Sequence, residues 1–148
     1  YQDMGSLIIE ELLENKVELF VDETIKEDFP NLNLANESHY ETEFLDLKLA
    51  VKVVESVDQA IEHIKLYSSG HTEAILTESK EVADTFSKSI DSSVIFINSS
   101  TRFTDGEMFG FGSEIGISTQ KLHVRGPMGL EALTNERYVV TGEGTVRG

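Results

Sequence analysis

The sequence predicts an α/β chain built on a parallel βαβαβ unit, and three observations predict it. Leu47, Leu49, Val51 and Val53 alternate with Lys48, Ala50 and Lys52, the period of two that a half-buried strand shows. Two segments with helical spacing follow, Val57 to Tyr67 and the stretch opened by Ser79. Two short apolar runs, Ala74 to Thr77 and Val94 to Ile97, lie between and after them. Strand, helix, strand, helix and strand with tight connections pack as parallel strands with right-handed crossovers.

Each element has its own local reason. Ser6 to Lys16 predicts a helix: Ser6 can cap it, and Ile8 and Leu12, then Ile9 and Leu13, recur at i,i+4 among Glu10, Glu11 and Glu14. Val17 to Val21 is a short apolar run that predicts a strand. From Asp22 to Glu41 the pattern dissolves into Pro30, Asn, Asp and Glu, which predicts a solvated acidic loop. Ser56 and Gln59 have the spacing of a capping box in front of Val57, Ala60, Ile61, Ile64 and Tyr67, and Ser68-Ser69-Gly70 stops that helix. In the next helix Val82, Ala83, Phe86 and Ile90 share a face. Val94 to Ile97 is a continuous apolar run of the kind buried on both faces. Leu122 to Leu133 predicts a helical turn or two, Arg137 to Thr141 a final strand, and Gly142 to Gly148 a loose polar tail.

Composition narrows the function classes. A chain of 148 residues suits one domain. Its 12 Lys plus Arg against 27 Asp plus Glu give a net charge of −15, which repels phosphate backbones and argues against nucleic-acid binding. With no cysteine, these residues contain no disulfide, no thiolate metal site and no cysteine nucleophile. No apolar run approaches the roughly 20 residues that cross a bilayer, and no basic-then-apolar leader is visible. The expected setting is therefore cytoplasmic, away from membranes. Tyr1 is not a natural translation start, so the chain reads as part of a longer product.

The stretch from Asn98 to Gly116 is where chemistry is expected. It is rich in glycine and hydroxyl residues, and it leaves the last predicted strand at the carboxyl edge, where ligands bind in open α/β sheets. Arg102, the one guanidinium in Ser99-Ser100-Thr101-Arg102, has a planar fork suited to a carboxylate or phosphate; the alternative is a local salt bridge to Asp105 or Glu107. Ser99, Ser100 and Ser113 lack the G-x-S-x-G elbow of a nucleophile and read as hydrogen-bond donors. Gly110, Gly112 and Gly116 do not make a dinucleotide fingerprint and read as turn glycines. His39, His63, His71 and His123 lack metal-ligand spacing; His63 falls on the polar side of its helix and His71 in a turn. Arg125 reads as a loop pin bonded to backbone carbonyls, and Lys48 and Lys52 as a solvated face.

Three longer motifs carry a resemblance. They are Asn98-Ser99-Ser100-Thr101-Arg102-Phe103-Thr104-Asp105-Gly106, then Phe109-Gly110-Phe111-Gly112-Ser113-Glu114-Ile115-Gly116-Ile117-Ser118-Thr119, then Leu122-His123-Val124-Arg125-Gly126-Pro127-Met128-Gly129-Leu130-Glu131. With Thr42-Glu43-Phe44-Leu45-Asp46-Leu47 and Ser69-Gly70-His71-Thr72-Glu73, they closely resemble the C-terminal part of the γ-glutamyl phosphate reductase family, within the aldehyde dehydrogenase superfamily. The resemblance runs from about Ser6 to the end of the chain.

The resemblance implies an NADP-dependent glutamate-5-semialdehyde dehydrogenase of proline biosynthesis, which reduces γ-glutamyl phosphate with NADPH through a catalytic cysteine. That cysteine and the nucleotide-binding domain precede the matched stretch, so this chain alone is expected to be inactive. It implies that residues 1–141 are a part of the catalytic domain, with 22–41 its acidic loop, 98–116 its substrate loop and 142–148 a flexible tail. Residue by residue, Glu43 matches the glutamate that bonds the nicotinamide ribose, although Leu45 stands where the family pattern has an aromatic residue. Ser100, Thr101 and Arg102 match the loop that holds the substrate's tail. Relatives pair subunits through their C-terminal strand, which implies a homodimer through Arg137 to Thr141. The competing readings are a non-catalytic acidic α/β module that binds a small carboxylate, and a parent fused to a glutamate kinase domain.

Overall fold

A computed structural model describes residues 4–148; the first three residues of the expected 1–141 domain lie outside the described residues. The chain forms two compact units, one running to Ser68 and including Lys88–Ile90, the other comprising Ser69–Ser87 and Asp91–Gly148.

In the first unit, α1 (Met4–Glu14) leads into β1 (Glu18–Val21), α2 (Glu23–Asp28), β2 (Asn33–Leu34), α3 (Glu37–Glu41), β3 (Lys48–Val51) and α4 (Val57–Tyr67). β1 is the central strand of a parallel sheet ordered β2-β1-β3, with Leu19 opposite Leu49 and Phe20 opposite both Ala50 and Asn33. Its core is Ile9, Leu19, Val21 and Ile25, each 2% exposed or less, ringed by Leu12, Val17, Phe29, Leu32, Val51 and Val53. Burying each of these four side chains contributes about 1.5–3 kcal/mol. The α4 helix has its predicted bounds: Ser56 Oγ accepts from the Gln59 amide at 3.2 Å, and the Gln59 side chain reaches back to the Glu55 amide at 3.0 Å.

The acidic segment 22–41 is not the loop its composition predicts. It holds α2, β2 and α3, because each short helix has its own side-chain cap. One Asp22 oxygen accepts from the Ile25 amide at 3.0 Å while the other accepts from Val53 at 2.8 Å, tying α2 to the exit of β3. Asn36 and His39 form a reciprocal capping box, the Asn36 amide donating to His39 Nδ1 at 2.9 Å.

In the second unit, β4 (Thr72–Ile75), α5 (Lys80–Ser89) and β5 (Val94–Ile97) make a parallel βαβ pair in which Thr72 lies opposite Val94 and Ile75 opposite Ile97. Ser79 caps α5 through the Val82 amide at 3.3 Å, and Ala83 and Phe86 are buried. A short antiparallel hairpin of β6 (Gly116–Ser118) and β7 (Gly126–Met128) follows, with 3-10 turns at Thr101–Phe103 and Glu131–Leu133.

The α/β class with parallel strands therefore holds, but the five-element βαβαβ unit is not one sheet. The β3 backbone is hydrogen-bonded to β1, and β4 pairs with β5. Nor is β5 buried on both faces, since Ile97 is 44% exposed. The strand predicted at Arg137 to Thr141 does not form: Val140 is 93% exposed, and this segment has no ladder partner among the described residues to satisfy a strand's amides and carbonyls. The helical turns expected over Leu122 to Leu133 reduce to the single 3-10 turn.

Candidate functional site

The loop that leaves β5 is anchored from its first residue. Asn98 has φ +54°, a left-handed conformation that Asn tolerates better than most residues. This turns its carboxamide onto Thr77, just beyond β4: Oδ1 accepts from the Thr77 amide and Nδ2 donates to the Thr77 carbonyl, both at 2.8 Å. The chain then doubles back. By Thr104 it has reached the opposite end of β4, where the Thr104 and Thr72 hydroxyls are 3.0 Å apart and Thr72 lies 2.7 Å from His71 Nδ1. The loop thus returns alongside β4 instead of staying beyond the carboxyl edge of the strands.

The Thr101–Phe103 turn sits between these two anchors. Ser100 Oγ accepts from the Arg102 amide at 3.2 Å, and the Thr104 amide donates to the Thr101 carbonyl at 3.1 Å. Ser100, Thr101 and Arg102, the three expected substrate residues, are therefore brought together on one exposed turn. The alternative pairing for Arg102 is not made. Asp105 instead accepts from the Glu107 and Met108 amides at 2.9 and 3.0 Å, and the Arg102 guanidinium has no ion-pair partner among the described residues. An uncommitted guanidinium beside two hydroxyls has the donor chemistry to hold a carboxylate.

Downstream, the loop is closed by packing. Gly106 lies against the Ser113 carbonyl, with its amide bonded to a Glu114 carboxylate oxygen at 2.9 Å. Gly110 and Gly112 both have positive φ, as turn glycines do. A half-open, largely apolar cleft of about 540 Å³ lies beyond them, walled by Phe111, Val124, Pro127 and Leu130. Arg102 is not among its lining residues.

Glu43 belongs to the first unit, in the exposed connection between α3 and β3. Phe44 beside it stacks on Phe20 with ring centroids 5.5 Å apart, while Leu45 is 89% exposed at φ +51°. Glu43 is in no ion pair among the described residues.

Several side chains do what the sequence does not suggest. His63 is not on a bare polar face: its ring lies 4.9 Å from Tyr40 and 4.7 Å from Tyr67, and burial, with Lys52 second, holds its pKa below the usual value. Lys52 sits over the Tyr40 ring at 5.8 Å, and Lys48 pairs with Glu18 and Asp46. His39 stacks on Phe20 at 4.1 Å. Arg125 does act as a pin, bonding the Asp91 carboxylate at 2.6 Å and the Asp91 carbonyl; Lys121 bonds the same carboxylate. Together they hold the Asp91 carboxyl down at about 2. The sequence offers one overlooked signal, an Asn placed directly after an apolar strand.

The geometry defines a class: a parallel-stranded α/β chain whose second unit presents a doubly anchored, hydroxyl-rich turn with one uncommitted guanidinium. No protein-family model matches the chain. It is 53% identical over 141 residues to gamma-glutamyl phosphate reductase of Thermoanaerobacter sp. (strain X514), covering 95% of this chain and 34% of that relative. It is also 53% identical over 146 residues to the Bacillus mycoides (strain KBAB4) reductase, covering 99% of this chain and 35% of the relative. The crystal structure of gamma-glutamyl phosphate reductase from Thermotoga maritima matches with a TM-score of 0.89 and 52% identity, over 97% of this chain and 34% of that one. The Saccharomyces cerevisiae reductase matches with a TM-score of 0.51 and 37% identity, over 70% of this chain and 28% of that one. The chain spans about a third of the length of the curated relatives it matches, and over that span it is similar to gamma-glutamyl phosphate reductase. No helix among the described residues is long and apolar enough to cross a membrane.

Proposed function

We propose that the chain is the C-terminal third of a cytoplasmic gamma-glutamyl phosphate reductase, which makes glutamate 5-semialdehyde for proline biosynthesis. The observation that carries this reading is the anchored turn with an unpaired Arg102, in a chain 53% identical to such reductases. Arg102 takes the α-carboxylate of the γ-glutamyl group as a bidentate partner, and Ser100 and Thr101 add neutral donors. Glu43 accepts from the ribose next to the nicotinamide of NADPH, which when bound supplies the hydride. The reaction exchanges the acyl C–O bond to phosphate for a C–H bond, releasing phosphate and oxidised cofactor. These residues contain no cysteine, so the thiolate nucleophile belongs to another part of the protein. On this reading 1–141 are a part of the catalytic domain with 98–116 as its substrate loop, 142–148 are a flexible tail, and Arg137–Thr141, which is not a strand within the chain, becomes one only by pairing with a second copy.

The test is a chimera in which this chain replaces the corresponding third of the Thermotoga maritima reductase. Phosphate-dependent reduction of NADP by glutamate 5-semialdehyde, measured in the reverse direction, should be restored. A folded chimera without turnover overturns the reading. If that chimera still binds glutamate, the chain is instead a non-catalytic carboxylate-binding module.

A further inference from the structure

The segment from Asn98 to Thr104 is tied to β4 at both ends, by the Asn98 carboxamide at Thr77 and by the Thr104 hydroxyl at Thr72. Thr72 and Thr77 are about 16 Å apart along an extended chain. A segment of the length of Asn98–Thr104 that contains one 3-10 turn reaches about the same distance. The segment can span that distance with both ties in place, and the two ties restrict where Arg102 emerges.

The second tie depends on one hydroxyl on each side. Thr72 has a single proton and sits between His71 Nδ1 and Thr104 Oγ1. If the ring nitrogen accepts that proton, Thr104 must donate to Thr72; if the ring donates, Thr72 is free to donate to Thr104. In either direction Thr72 and Thr104 share one hydrogen bond, and all three groups are half-buried.

We propose that the Thr72–Thr104 hydroxyl pair, backed by His71, is the positioning device for the substrate-carboxylate anchor Arg102. This rests on the reading of Arg102 given above and adds a second layer to it. Thr72 and Thr104 touch neither substrate nor cofactor; they hold the end of the turn so that the Arg102 fork meets a carboxylate in one orientation. Loosening this tie affects recognition of the γ-glutamyl end and leaves the hydride step and the cofactor contact as they are.

The experiment measures steady-state kinetics of the full-length reductase containing these residues. Thr104→Val and Thr72→Val keep the side-chain shape and remove the hydroxyl. Each should raise KM for γ-glutamyl phosphate about three- to tenfold, the range expected for one lost hydrogen bond, with kcat and the KM for NADPH within about twofold. Thr104→Ser and Thr72→Ser should restore KM, and the double valine variant should be no worse than either single one. Unchanged substrate KM in a folded valine variant overturns the proposal. So does an equal rise in both KM values, which marks general damage. Arg102→Gln separates the two layers. If it leaves substrate KM unchanged, the anchor reading fails and the proposal falls with it. If it raises KM while the valine variants do not, only the positioning role fails.

Discussion

The Asn98 side chain satisfies both backbone groups of Thr77, standing in for a neighbouring strand where the β4–β5 ladder runs out. It does so from a left-handed backbone, φ +54°. Two effects can therefore be separated by substitution. Asn98→Gly loses the hydrogen bonds and keeps the conformation, at about 1–2 kcal/mol. Asn98→Ala also carries the strain of a Cβ in that region and should be worse by about 1 kcal/mol. Urea denaturation midpoints of the two variants measure the difference, and equal midpoints would show that the backbone conformation costs nothing here.

Gly106 and Gly110 are required for opposite reasons. A Cβ on Gly106 would lie 2.5 Å from the Ser113 carbonyl oxygen, which is backbone and cannot swing aside. A Cβ on Gly110 meets nothing within 4 Å, but its φ is +84°. Gly106→Ala should cost about 1–3 kcal/mol through overpacking, and Gly106→Asn more. Gly110→Ala should cost about 1–2 kcal/mol through strain alone, and Gly110→Asn less, because Asn visits that region. Thermal unfolding of the four variants checks this reversal of order; the same ranking at both sites would refute it.

Legibility in the sequence followed the range of the interactions. The α4 helix was readable because its cap, apolar face and stop lie within a few residues, from Ser56 to Gly70. The caps of α2 and α3 were equally local, in Asp22 and Asn36, but the density of acids and Asn around Pro30 masked them as loop. Pairing of β3 with β1 was not readable, since nothing near Leu47 says that its amides meet Glu18–Val21. The β6–β7 hairpin was hidden by Gly116, Gly126 and Pro127, all poor strand residues. At the candidate site, the grouping of Ser100, Thr101 and Arg102 was evident, as three adjacent residues must be. The return of the loop along β4 was not, because it depends on a carboxamide contact and a hydroxyl contact that are 21 and 32 residues apart in sequence, respectively.

Asp91 gives a pH prediction in the acid range. Lys121 and then Arg125, by hydrogen bonding, lower its carboxyl from 3.8 to about 2. The folded protein binds this proton less readily than the unfolded chain, so the associated stability is present above about pH 4 and is lost as pH falls toward 2. The group is exposed, so added salt should weaken the effect. Carboxyl-detected NMR titration should find a midpoint near 2 in the parent at low salt. Lys121→Met should move it toward the ordinary value more than Arg125→Met does. A parent midpoint near 3.8 would show that Lys121 and Arg125 do not clamp this carboxylate.

His63 acts in the neutral range and through burial. Its ring is packed between Tyr40 and Tyr67, which withdraws it from water, and Lys52 adds a like charge nearby. Both effects disfavour the imidazolium, with burial the larger, so the folded pKa lies below 6.5. Between the folded value and 6.5 the unfolded chain binds more protons than the folded one. Stability linked to His63 is therefore complete above 6.5 and declines as pH falls through this window. The direction is the reverse of that for a histidine stabilised by a carboxylate. His63→Phe keeps an aromatic ring between the tyrosines and has no proton to gain, so it should flatten this part of the stability profile. Lys52→Met removes only the smaller cause, so the His63 midpoint should rise but stay below 6.5. NMR titration of the imidazole in the parent and in Lys52→Met measures both statements. A parent midpoint at or above 6.5 would mean that the three rings do not exclude water from His63. A midpoint in Lys52→Met that reaches 6.5 would mean that charge, and not burial, is the larger cause.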